Sequence, residues 1–236
     1  LLKKGADVHI RDSSGGTAIM RACRCGKIDI AKLLLEKGAD IHVRNKRGYT
    51  VLTQGFNRDY PEMLNFLIGL GLDINAKMKN GITPLLNACR NGHPETVKVL
   101  IENGADLNAR RNPGIPQIDI QKGNVITFGT HQKEVRRPSC FGKEDTVSMR
   151  NDTKIIRLTR NMTALMDASQ RGYLEVVKLL TSHGADINAA DSFRFNALML
   201  ASCCGKFDIV KFLLDKGADI NAKDDIGRSA LIHAVE

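Results

Sequence analysis

The sequence predicts an all-α solenoid of stacked helix-turn-helix units, and three observations carry that reading. The triplet Gly-Ala-Asp stands at 5–7, 38–40, 104–106, 184–186 and 217–219, with a degenerate copy at Gly71-Leu72-Asp73. The glycine spacings of 33, 33, 33, 80 and 33 residues set a fixed period, as expected of units that bury a face only against their neighbours. Within each period the same residue types return in register. Ile19, Leu52, Leu85, Leu165, Leu198 and Leu231 share one position; Ala22, Gly55, Ala88, Ala168, Ala201 and Ala234 share another, where a small residue lets helices approach closely.

Leu1-Leu2-Lys3-Lys4 reads as the tail of a helix ahead of Gly5, and Ala230 to Glu236 as a first helix cut short, so a slice of a longer protein is expected. The unit from Gly81 to Arg110 shows the local logic most plainly. Thr83 can cap a helix through its hydroxyl, and Pro84 suits the first helical position, where no backbone donor is needed. That helix carries Leu85, Leu86 and Ala88 and should stop at Gly92, a residue suited to a left-handed terminus. A second helix with Val97, Val99, Leu100 and Ile101 should end at Gly104, before a turn through Asp106 and Asn108. Thr17, Thr50, Thr83 and Thr163 share the capping position, with Asn196 and Ser229 in the later copies. The unit at Gly48 is the most degenerate, with Gly55, Asp59 and Leu72 at key positions, and is expected to be the softest point.

The pattern Gly-x-Thr-Pro-Leu, then Ala, Gly, Leu-Leu and Gly-Ala-Asp-Ile-Asn, resembles the ankyrin repeat, whose period is the same. The resemblance implies repeats over 1–110 and 161–236, with partial units at both ends, and β-turn fingers between units. It also implies a histidine after Thr-Pro-Leu, but Met20, Thr53, Leu86, Met166, Met199 and Ile232 stand there, so the family's inter-repeat bonds from that side chain should be missing.

The 80-residue spacing is one period plus 47, which places an insertion at 111–160 where a finger should be. Short β-like runs at 118–120, 125–128 and 155–158 allow a β-hairpin lobe, while three prolines and four glycines favour a loop. The segment holds ten basic and five acidic residues, so +5 of the net charge of +9 lies there. Arg136-Arg137-Pro138-Ser139 within it resembles a basophilic kinase site.

No apolar run approaches the roughly 18 residues needed to span a bilayer. The six cysteines form no disulfide framework, which fits reduced thiols and an intracellular setting, cytoplasm or nucleus. Metal-ligand spacings, phosphate loops and serine elbows are missing, so neither catalysis nor a cofactor is expected. His9, His42, His93 and His183 all have structural places in the repeat; His131 and His233 have no evident carboxylate or cysteine partner in sequence.

What remains is the surface, which the resemblance places on finger tips and the exposed face of each first helix. Carried over by register, the tips present Arg11, Arg44, Lys46, Arg47, Tyr49, Lys77, Lys79 and Asn80, and the first-helix ends Arg24, Asn57, Arg58, Arg90, Asn91, Gln170 and Arg171. Glu36, Glu62, Glu95, Glu102, Glu175 and Asp215 fall instead by the second helices. Arginine leads on the basic side, which suits bidentate pairing with carboxylate or phosphate. The expected function is a non-catalytic protein-interaction scaffold whose basic concave face binds an acidic protein segment. Arg24, Arg44, Lys46, Arg47, Tyr49, Asn57, Arg58, Lys77, Lys79, Arg90, Asn91 and Arg171 are the candidate contacts. Two alternatives stay open: a phosphate-rich ligand such as nucleic acid or an anionic membrane surface, and service as the targeting arm of a larger enzyme or effector. Against the first, aromatic residues make up only 5% of the chain, with no Trp to stack bases. Oligomeric state is not set by the sequence.

Overall fold

The computed structural model describes residues 4–54, 59–78, 81–111 and 161–235. They form eleven helices: α1 (Ala18–Arg24), α2 (Ile28–Glu36), α3 (Val51–Gln54), α4 (Pro61–Gly69), α5 (Pro84–Asn91), α6 (Pro94–Glu102), α7 (Ala164–Arg171), α8 (Leu174–Ser182), α9 (Ala197–Cys203), α10 (Phe207–Asp215) and α11 (Ala230–Val235). Odd-numbered helices pack on one another in succession as one layer, and α4, α6, α8 and α10 do so as a second.

Each unit starts where a short polar side chain meets an extended backbone. Thr83, Thr163 and Asn196 accept from the backbone N–H three residues on, at Leu86, Met166 and Met199. The position of the absent histidine carries a local substitute in two units. Thr53 Oγ1 accepts from Thr50 N–H at 2.7 Å, and Met166 Sδ from Thr163 N–H at 3.4 Å. Helices α5 and α7 end on Gly92 and Gly172 at φ 72° and 90°. At Gly92 the reason is double, because a Cβ there would also stand 2.6–2.8 Å from the Tyr173 ring.

The core is a column, with Ile19, Leu52, Leu85, Leu165 and Leu198 each 1% exposed. Leu231, expected at the same position, is 73% exposed, because α11 packs on α9 and its far face has no described neighbour. The second helices are joined across units where the capping is weakest. His93 gives α6 no side-chain cap, and Asp59 of the preceding unit serves instead, accepting from Thr96 N–H at 2.9 Å and Thr96 Oγ1 at 2.6 Å. Asp59, one of the three residues that mark the Gly48 unit as degenerate, is thus a tie between units, and Gly55 lies outside the described residues.

No helix among the described residues is long and apolar enough to cross a membrane. Among the described residues Cys23, Cys25 and Cys89 are free thiols. Burial pushes the Cys23 thiol up to about 12 and raises Cys89 as well, as expected of inert core fillers.

Candidate functional site

The finger edge is built by repetition. In each described copy the Asp of the Gly-Asp turn accepts from the N–H two residues on, as Asp106 does from Asn108 at 3.0 Å and Asp219 from Asn221 at 2.9 Å. From Asn75 onward an asparagine reaches the next unit: Asn75, Asn108 and Asn188 accept from Asp106, Asp186 and Asp219 N–H. At the turn itself Asp12, Asn45, Asp191 and Asp224 each accept from N–H groups two and four residues on. Successive fingers then join backbone to backbone, Lys46 N–H to Ser14 O at 3.0 Å and Asp225 N–H to Phe193 O at 3.1 Å.

The long spacing is absorbed at one such turn. Met78 N–H donates to Ile82 O at 3.0 Å and Asp191 N–H to Phe195 O at 2.9 Å; the equivalent bond is Arg111 N–H to Met162 O at 3.1 Å. Arg111 and Met162 are therefore paired as in the other fingers, and α5 packs directly on α7. The β-like runs and the Ser139 motif lie outside the described residues.

The predicted contact residues divide into three groups. Arg44 is occupied: its Nη1 donates to Lys77 O at 3.0 Å and Gly48 O at 3.3 Å. Arg11 does the same to Arg44 O at 3.0 Å and Arg110 to Ala190 O at 2.7 Å, so this register position is an arginine ladder that laces fingers together. Lys46 Nζ likewise binds Ser13 O at 2.8 Å. In the second group, Arg24 and Arg90 are half-buried, and Arg47, Lys77 and Asn91 exposed. Among the described residues Arg24, Arg47 and Arg90 form no ion pair, and Arg171 Nε stands 3.9 Å from the buried Asp167 carboxylate. Tyr49 is half-buried against the core, at a position where Ile82, Met162 and Phe195 are buried. Asn57, Arg58 and Lys79 lie outside the described residues.

The sequence reading missed Asp167, an acid one turn before Arg171; it sits at a first-helix position held by Arg21, Gln54 and Asn87 in earlier units, so its register carries no acidic signal. It also left His233 without a carboxylate, which the structure corrects. His233 is buried in α11, with Nε2 3.0 Å from Asp224 Oδ2 and its ring 4.7 Å from that of Phe195. Burial alone would raise the Asp224 carboxyl, but bonds from Arg228, His233 and Ile226 hold it below the ordinary carboxylate range. Among the described residues no three His, Cys, Asp or Glu side chains gather as a metal site.

The family profile described as "Ankyrin repeats (3 copies)" matches residues 1–78, 53–114, 144–224 and 192–236, well over half of the chain. The chain belongs to the ankyrin-repeat family. Comparison with curated proteins returns no match. Ankyrin repeats generally mediate protein–protein interaction and are typically non-catalytic. The match from 144 begins upstream of 161, where the sequence reading resumes the repeats.

Proposed function

We propose that this chain is an interaction scaffold, not a catalyst, whose basic edge docks an acidic segment of a partner protein. One observation carries the reading: Arg24, Arg47 and Arg90 stand at finger-tip and first-helix-end positions, and among the described residues none is neutralised by a carboxylate of the chain. Solvated cations on one edge attract over a range set by the Debye length, about 8 Å at physiological salt, and arginine adds bidentate pairing at contact. Arg44 and Lys46 contribute charge while their donors hold the fingers in register. Residues 111–160 interrupt the finger between repeat blocks 1–110 and 161–236 and add to the positive field through their composition.

The class of partner is tested by fluorescence anisotropy with a labelled oligoglutamate peptide, generic single-stranded and duplex DNA, and phosphatidylserine vesicles at matched salt. Preferential, salt-sensitive binding of the peptide is expected. Tighter binding of DNA or vesicles than of the peptide would overturn the protein-partner reading in favour of a phosphate-rich ligand.

A further inference from the structure

Arg194 is the described non-glycine residue with a left-handed backbone, at φ 62°. The same register position is glycine in other fingers, Gly15, Gly48, Gly81 and Gly227, at φ 77°, 79°, 73° and 85°. An L side chain is strained there by its Cβ, whereas glycine is not. The turn itself has no use for the side chain. Arg194 N–H donates to Asp191 O at 3.0 Å, as Gly48 N–H does to Asn45 O at 2.9 Å. The residue is exposed, and among the described residues its guanidinium makes no ion pair or hydrogen bond that would offset the strain.

The backbone around it is firmly held. Asp191 accepts from Phe193 and Phe195 N–H, both at 2.9 Å, Phe193 packs against the core, and its carbonyl accepts from Asp225 of the next finger at 3.1 Å. A strained residue kept on a rigid turn, whose side chain has no ion pair or hydrogen bond among the described residues, points to a contact made outside the chain. We propose that Arg194 is a binding contact for the acidic segment, extending the cationic finger edge of Arg47 beyond the insertion; this rests on the function proposed above.

The test uses Arg194→Gly, Arg194→Gln and Arg194→Lys in the full chain, with thermal unfolding and oligoglutamate anisotropy on each. Arg194→Gly should raise the unfolding midpoint by about 2–4 °C while weakening peptide binding about fivefold. Arg194→Gln should weaken binding equally without that rise, and Arg194→Lys should keep most of it. If Arg194→Gln binds like the wild type while Arg47→Glu in parallel does not, the Arg194 assignment is wrong and the basic edge stands. If neither substitution changes binding, both readings fall.

Discussion

Substituting Gly92 with Ala probes the packing across the long spacing more sharply than any charge change. Two costs are stacked at this residue. Its φ of 72° strains any L side chain, which costs about 1–2 kcal/mol. The added Cβ would also meet the Tyr173 ring at 2.6–2.8 Å, overpacking that costs about 1–3 kcal/mol because Tyr173 is itself half-buried against the core. Gly205 has a similar φ of 62° but open space around it, so Gly205→Ala reports the backbone term alone. Gly92→Ala should therefore lose about 2–5 kcal/mol and Gly205→Ala about 1–2 kcal/mol. In a Tyr173→Ala background the first penalty should fall to the level of the second, a coupling of at least about 1 kcal/mol. Urea unfolding followed by far-UV circular dichroism measures all of these, with the m value checked for loss of cooperativity between repeats. Gly92 and Tyr173 lie on opposite sides of residues 111–160 in sequence. Equal costs for the two glycines, or no coupling to Tyr173, would mean that the flanking units do not stack as described.

Asp59→Ala removes the acceptor of both Thr96 donors and should cost about 1–2 kcal/mol, with faster amide exchange in α6 than in α2. Asp224→Ala removes the carboxylate that buried His233 and half-buried Arg228 share and should cost about 3 kcal/mol, read as faster exchange in α11 with α5 unchanged. Because the Asp224 carboxyl is depressed in the fold, the wild type's extra protection of α11 is present above the ordinary 3.8 and disappears as pH falls through the lowered value; the variant should lack that dependence. Replacing residues 112–161 with the Lys-Asn-Gly of 79–81 restores a regular finger between Arg111 and Met162, and loop-closure entropy alone predicts a gain of about 2 kcal/mol. A loss of stability in urea would contradict that.

The repeat was legible because its signals are local and recur: a capping Thr or Asn, a terminal Gly and an apolar position at fixed offsets specify each helix pair. Even the strain at Arg194 could have been read, since Gly15, Gly48, Gly81 and Gly227 mark its register. What the register did not show was the use of polar side chains between units. Arg44 looked like a free cation until its donors were found on the next finger's carbonyl, and Asp59 looked like a defect until Thr96 was found above it. His233 seemed solitary because its partner lies nine residues back, across a turn whose closure brings Asp224 under the helix. Such pairings depend on the stacking distance between units, which a one-dimensional period does not encode.

In the proposed function, cations on the finger edge and first-helix ends attract an acidic segment. The most direct test is the salt dependence of oligoglutamate binding to the wild type and to the folded double variant Arg47→Glu/Arg90→Glu, with Lys32→Glu/Lys98→Glu on the second helices as the charge-matched control. At least a tenfold loss and a shallower salt slope are expected for the first pair, and a smaller change for the second. Equal effects from the two pairs would show that net charge alone attracts the peptide, contradicting a site on that edge.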